Sequence, residues 1–302
     1  MTSNVAARDT AAPHPARDPW DGVADRIRAH LSAPGGDGHV VLPGLLGDVL
    51  PTEETPQSWR EAGTGSAFDR ALRGLGAALG PAMTWRNQQA GRVVHNMLPS
   101  RGQESSQTGA GSTSELLLHT EDAFHPQRAR LVVLACVRNT ARIGTYVAGV
   151  RRVRLDPADW AQLERPAVRI LPDDSYGDPG TFTAGTAPGV ATTWAGPAGR
   201  CLRFDPAYSV LPDDDAFTGA YRRLTAGLLA AREEAVLAPG DVIVLDNDAV
   251  VHGRAAFTPR FDGSDRWLKR LLIRAPGERP AGEAAETGYG QTPIVADGER
   301  VG

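Results

Sequence analysis

Leu237-Ala238-Pro239-Gly240-Asp241-Val242-Ile243-Val244-Leu245-Asp246-Asn247-Asp248-Ala249-Val250-Val251-His252-Gly253-Arg254 reads as a tight turn, a short buried strand, a polar turn and a second strand that delivers one histidine. Four to eight apolar residues bounded by Pro, Gly, Asp and Asn is the signature of a strand rather than a helix, which needs a longer run at 3.6-residue spacing. The same pattern recurs from about Gly91 onward: Val93 to Leu98, Leu116 to Leu118, Leu131 to Val137, Tyr146 to Val153, Val168 to Leu171, Val242 to Leu245 and Leu268 to Ile273. Pro172-Asp173-Asp174 and Gly177-Asp178-Pro179-Gly180 punctuate these runs as turns.

Helices are expected around this core. Asp18-Pro19 looks like a cap followed by proline in the first turn, opening a helix through Val23, Ile27 and Leu31 that stops at Pro34-Gly35-Gly36. A second helix is expected over Ala67 to Leu79, ended by Gly80-Pro81, and a third over Asp213 to about Glu234 with Phe217, Tyr221, Leu224 and Leu228 on one face. Helices first and many short strands after them imply a mainly β protein with flanking helices, a β-sandwich or jelly roll. The expected organisation is a disordered tail over residues 1–17 and one domain over 18–302, with no internal repeat.

Composition narrows the function. The chain has 302 residues, 32 Lys+Arg against 36 Asp+Glu, and a net charge of −4, which offers no electrostatic reason to expect nucleic acid as a partner. No apolar run is long enough to span a bilayer, and residues 1–17 lack the apolar stretch of a signal peptide, so a cytoplasmic location is expected. Two cysteines, Cys136 and Cys201, cannot build a disulfide scaffold or a four-cysteine zinc site, so a metal would need histidine and carboxylate ligands.

Of seven histidines, His14, His30 and His39 sit in polar or turn contexts and read as solvated, His95 reads as a structural histidine inside a strand, and His125 precedes Pro126 in an extended or turn position. His119 differs, because Glu121 follows two residues later in Leu116-Leu117-Leu118-His119-Thr120-Glu121-Asp122-Ala123-Phe124-His125-Pro126, and residues i and i+2 of an extended segment point the same way. His252 lies 131 positions beyond Glu121, a separation that a sandwich closes by pairing early and late strands. Two histidines and one carboxylate form the facial triad of non-haem Fe(II) oxygenases, although a zinc hydrolase can use the same three ligands. Arg266, fourteen residues after His252 and just past the Asp262-Gly263 turn signal, favours the oxygenase. At the start of a strand returning from a hairpin, its planar guanidinium can pair bidentately with the carboxylate of an acid co-substrate, which a hydrolase or a non-catalytic metabolite-binding cupin does not need.

With these residues in place, the sequence resembles the clavaminate synthase-like branch of the Fe(II)/2-oxoglutarate dioxygenases, which includes arginine and asparagine oxygenases. The resemblance rests on His-Thr-Glu-Asp-Ala-Phe-His-Pro at 119–126, Cys-Val-Arg-Asn at 136–139, Pro-Gly-Asp at 239–241, Asp-Asn at 246–247, His-Gly-Arg at 252–254 and Asp-Gly-Ser-Asp-Arg-Trp-Leu-Lys-Arg at 262–270. It implies a distorted double-stranded β-helix, with His119, Glu121 and His252 as iron ligands and Arg266 and Thr145 at the distal carboxylate of 2-oxoglutarate. It further implies Arg270 at the substrate α-carboxylate, Gln88 near its amine and Asp205 facing its side chain. Ala207 departs from the arginine-specific pattern, where a second acid stands. The implied chemistry consumes O₂ and 2-oxoglutarate and hydroxylates an unactivated C–H of a free L-amino acid or a close derivative in natural-product biosynthesis, with a carrier-tethered substrate and desaturation, epoxidation or cyclisation as further outcomes. Glu121 disfavours halogenation, because related halogenases lack that carboxylate. The polar, glycine-rich segment 102–112 is expected to act as a lid.

Overall fold

The computed structural model describes residues 19–176, 185–275, 277, 279–286 and 291–295. The tail over residues 1–17, the cap at Asp18 and the turn at Gly177-Asp178-Pro179-Gly180 lie outside the described residues. In chain order the strands are β1 (His39–Leu42), β2 (Ala82–Trp85), β3 (Val94–Met97), β4 (Leu116–His119), β5 (Leu131–Arg138), β6 (Thr145–Gly149), β7 (Pro166–Ile170), β8 (Val190–Ala191), β9 (Thr193–Gly196), β10 (Gly199–Leu202), β11 (Ser209–Val210), β12 (Glu233–Ala235), β13 (Val242–Asp246), β14 (Val250–Arg254), β15 (Trp267–Ile273) and β16 (Pro293–Val295). Among the described residues four α-helices accompany them: α1 (Asp21–Leu31), α2 (Ala67–Leu79), α3 (Pro157–Leu163) and α4 (Asp215–Ala230).

A major sheet runs β1-β13-β5-β15-β2-β16 with β3 also paired to β15, and a minor sheet runs β12-β6-β14-β4. Together they form the jelly roll expected from the strand pattern, in the distorted double-stranded β-helix form that the family resemblance implies. The continuous apolar run of β5 follows from burial on both faces. Val132, Leu134 and Cys136 join the core between the sheets, while Leu131, Val133, Ala135 and Val137 pack under α1 and α2 with Ile27, Phe68, Leu72 and Leu75. Both cysteines are buried in this way as core residues, and burial pushes the Cys136 thiol up to about 12.

α2 matches its expected bounds because its ends are chemically marked. Ser66 accepts the Asp69 N–H and Asp69 answers at the Ser66 N–H, a capping box, while Gly80 ends the helix. Asp69 also meets the chain's single lysine, Lys269, at 2.7 Å inside the second core.

Several expectations need correction. α1 starts at Asp21, with no side-chain cap bond at Trp20. The run Tyr146 to Val153 is broken: β6 stops at Gly149 and Val150–Arg152 forms a 3₁₀ turn, where Val150 N–H donates to Ala249 O and leaves the ladder. The helix expected to reach Glu234 ends at Ala230, and Glu233–Ala235 becomes β12, the edge strand beside β6. α3 was not anticipated, although Asp156-Pro157 carries the same cap-and-proline signal read at Asp18-Pro19. Finally, β14 and β15 are not a hairpin: β14 belongs to the minor sheet and β15 to the major one, so the Asp262-Gly263 turn, with Gly263 at φ +86°, lies in a crossover between sheets.

Candidate metal centre

β14 pairs with β4 on one side and β6 on the other, and the register sets His252 directly opposite His119. Their rings stand 4.6 Å apart. At Gly253 the β14–β4 register shifts, and a side chain there would collide with the Leu116 carbonyl, so glycine is what lets the two histidine strands close. Glu121 lies two residues past His119, beyond the end of β4, and its Oε2 approaches His252 Nε2 at 3.3 Å. Candidate ligand atoms of His119, Glu121 and His252 all fall within 4.8 Å of one another.

The donor chemistry fits a divalent iron. His119 Nδ1–H donates to the Leu117 carbonyl at 2.8 Å, which fixes the tautomer and leaves Nε2 with its lone pair free for a cation. Burial, then the neighbouring His252, holds the His119 imidazole below its ordinary value and therefore neutral. Burial pushes the Glu121 carboxyl up, but Arg270, His252 and His119 outweigh it and keep it below the usual carboxylate range, so it is ionised. Two imidazoles and one carboxylate on one side of a cavity leave the other side open.

That cavity, about 760 Å³, lies between the sheets and is roofed by the 102–112 segment, of which Gly102, Gln103, Ser105, Ser106, Gln107, Thr108, Gly109 and Ala110 line it. The lid is pinned rather than loose: Ser112 N–H donates to Glu104 O at 2.7 Å, Gln107 side-chain atoms bond Glu115 O and Leu117 N, and Arg254 donates to the Gly111 and Ser114 carbonyls.

At one end of the cavity Arg266, immediately before β15, donates to Thr145 Oγ1 on β6 at 2.8 Å and so bridges the two sheets. Arg254 stands beside it, and neither arginine forms an ion pair among the described residues. Burial and the Arg254 charge push the Arg266 guanidinium down to about 10, and its buried Nε has no partner among the described residues. Two buried cations without an acid demand an anion, and a dicarboxylate such as 2-oxoglutarate supplies one.

At the other side Arg270 projects from β15 and binds the Glu121 carboxylate, the Gln88 side-chain oxygen at 2.9 Å and His95 Nδ1 at 2.6 Å. Gln88 in turn donates to Ser175 Oγ at 3.0 Å. His95, read from the sequence as purely structural, belongs to this site. Burial and then Arg270 drive its imidazole down to about 3, so the neutral ring accepts from Arg270 and passes its Nε2–H to Thr84 Oγ1, which donates to Arg92 O. No local signal marks this role, because it depends on β3 pairing with β15 so that His95 faces Arg270.

Asp205 lies within electrostatic reach of His119 and of Asp173, and its carboxylate accepts the Ala207 and Tyr208 N–H groups of its own turn. Asp173, which sequence reading took only as a turn residue, lines the cavity wall. Burial raises both carboxyls, Asp205 to about 6, with His119 opposing the rise and Asp173 adding to it. His39 is largely buried and 4.0 Å from Glu233, rather than solvated. His125 keeps its expected turn position, its N–H donating to Asp122 O, with its ring buried against Trp85.

Comparison with known proteins agrees with this geometry. The chain is 33% identical over 258 residues to an L-ornithine/L-arginine 3-hydroxylase of Catenulispora acidiphila, covering 77% of this chain and 75% of that protein. It is also 33% identical over 265 residues to the enduracididine beta-hydroxylase of Streptomyces hygroscopicus, covering 78% and 76%. The structure of the non-heme iron oxygenase OrfP in complex with Fe and alpha-ketoglutaric acid superposes with a TM-score of 0.74 at 33% identity, covering 84% of this chain and 80% of that one. The family model for the taurine catabolism dioxygenase TauD, TfdA family, matches residues 62–272, and with the His119, Glu121, His252 cluster inside that span the chain belongs to this dioxygenase family.

Proposed function

We propose that this Fe(II)- and 2-oxoglutarate-dependent dioxygenase hydroxylates an unactivated C–H of a free L-amino acid with a basic side chain, in the biosynthesis of a natural product. The observation that carries the reading is the convergence on one cavity of the His119, Glu121, His252 donor set, the uncompensated Arg266 and Arg254 pair, and Arg270 with Gln88. Bound iron supplies O₂ activation coupled to decarboxylation of 2-oxoglutarate to succinate and CO₂.

The protein's own groups then have distinct tasks. His119, Glu121 and His252 hold the metal. Arg266, held by Thr145, takes the distal carboxylate of 2-oxoglutarate, and Arg270 and Gln88 take the α-carboxylate and amine of the substrate. Arg270 is partnered to Glu121, Gln88 and His95 beforehand, so it meets the substrate already oriented. Asp173 in the wall and Asp205, which feels its charge, make a negative region that suits a cationic side chain in place of the two-acid clamp that Ala207 removes. The pinned lid excludes water from the reacting atoms.

Anaerobically purified protein supplied with Fe(II), 2-oxoglutarate, O₂ and a panel of basic, polar and apolar L-amino acids is expected to release succinate chiefly with the basic members, yielding a product one oxygen atom heavier. Loss of two hydrogens instead would identify desaturation or ring closure, and no succinate with any amino acid would refute the reading. His252→Ala is expected to abolish release. Arg266→Ala is expected to raise the KM for 2-oxoglutarate by about 10- to 100-fold, the loss of a charge-assisted hydrogen-bonded pair.

A further inference from the structure

The three metal ligands are not held alike. His119 and His252 face each other across the β4–β14 ladder, where backbone bonds fix their separation. Glu121 lies past the end of β4, next to Asp122 at φ +53°, and no ladder reaches it. Thr120, just before it, is tied to Phe204 through both its backbone and its hydroxyl. The main chain of Glu121 itself is satisfied by a single side chain. Asn247 Oδ1 accepts the Glu121 N–H at 2.8 Å, while Asn247 Nδ2 donates to the Glu121 carbonyl at 3.0 Å and to Ala129 O at 3.0 Å.

Asn247 is fully buried and sits in the turn between β13 and β14, five residues ahead of His252. That turn is rigid for ionic reasons. Asp248 meets Arg128 at 3.2 Å, Arg130 at 2.7 Å and Arg279 at 2.9 Å, and Asp246 meets Arg130 at 2.8 Å. The Asn247 amide therefore reaches Glu121 from a fixed platform.

We infer that Asn247 is a positioning residue that sets the Glu121 carboxylate against the two histidines, joining the lead-in of the His252 strand to the backbone of the one ligand the sheet does not hold. The inference rests on the reading that these three residues bind the metal. Removing the amide leaves the buried Glu121 N–H and carbonyl without their partner, whereas Ala129 O keeps Arg279, and frees Glu121 to drift from the histidine pair.

Mn(II), which takes the same nitrogen and oxygen donors as Fe(II), serves as the probe in calorimetric titrations of wild type, Asn247→Ala, Asn247→Ser and Asn139→Ala. Asn139 is the control: it is a buried asparagine that clamps backbone in the same manner, at Ile143 and Leu237, away from the ligands. Both Asn247 variants are expected to bind Mn(II) about 10- to 100-fold more weakly, while Asn139→Ala lowers the melting temperature without changing Mn(II) affinity. Wild-type affinity in the Asn247 variants, or an equal loss in Asn139→Ala, overturns the inference. If neither Asn247 variant folds, amide exchange in metal-free wild type takes their place. A Glu121 amide as protected as those of β14 supports the clamp, and fast exchange overturns it. A wild type that binds no Mn(II), or a His252→Ala protein that binds it as well as wild type, refutes the metal site itself rather than the role of Asn247.

Discussion

Arg270 shows how far a residue's chemistry can be read in isolation. It follows Arg266 by four residues, on the strand that Arg266 leads into, and it lines the cavity. Its partners are invisible locally, because Glu121, Gln88 and His95 arrive from three other segments. The neutral His95 is a weak acceptor that orients the guanidinium without cancelling its charge. His95→Leu is accordingly expected to raise the KM for the amino acid about tenfold, by loosening the α-carboxylate anchor, while the KM for 2-oxoglutarate stays near the wild-type value. Steady-state kinetics with each substrate varied in turn checks this.

The elements divide by how they are specified. α2 carries its own start and stop in Ser66, Asp69 and Gly80, and its bounds were legible to the residue. β12 carries no such mark: Glu233 and Glu234 read as a helix end, and only the exposed edge of β6 makes them a strand. β15 combines the two cases. Its alternation sends Leu268, Arg270 and Leu272 toward the cavity side and Leu271 and Ile273 under the helices, yet Lys269 also points to the helix side. The charge is tolerated because Asp69 of α2 neutralises it, with both side chains at most 5% exposed. Lys269→Ala strands the Asp69 carboxylate in an apolar layer and is expected to cost about 3–5 kcal/mol of stability. Chemical denaturation measures it, and a loss under 1 kcal/mol would show that water reaches the pair.

Across the whole molecule, stability is tied to the ionic platform beneath the metal strand. Burial disfavours the Asp248 carboxylate, but Arg128, Arg279 and Arg130 outweigh it and hold the group at about 2. Its folded value lies below its unfolded one, near 3.9, so its stabilising contribution is complete above about pH 4 and is lost as pH falls toward 2. Asp248→Asn is expected to melt at lower temperature than wild type at neutral pH and to lose less further stability between pH 4 and pH 2. Melting curves over that range test the expectation, and parallel curves for the two proteins would contradict it. The same platform couples stability to the site, since Arg128, Arg130 and Arg279 anchor the turn from which Asn247 reaches Glu121.

The donor atoms were legible from the chain, because a histidine with an acid two residues on, a late histidine after a Pro-Gly-Asp turn, and an arginine fourteen residues later are local facts of spacing. So were most strands, because burial on two faces writes a continuous apolar run. Folding in three dimensions settled the rest: that His252 stands opposite His119, that Arg266 bonds Thr145 across two sheets, that Asp173 lines the cavity, that His95 meets Arg270 and that Asn247 bonds the Glu121 backbone. Periodicity records which face of an element is buried, whereas the choice of strand neighbours arises from packing and backbone pairing between segments more than a hundred residues apart, which no local pattern encodes.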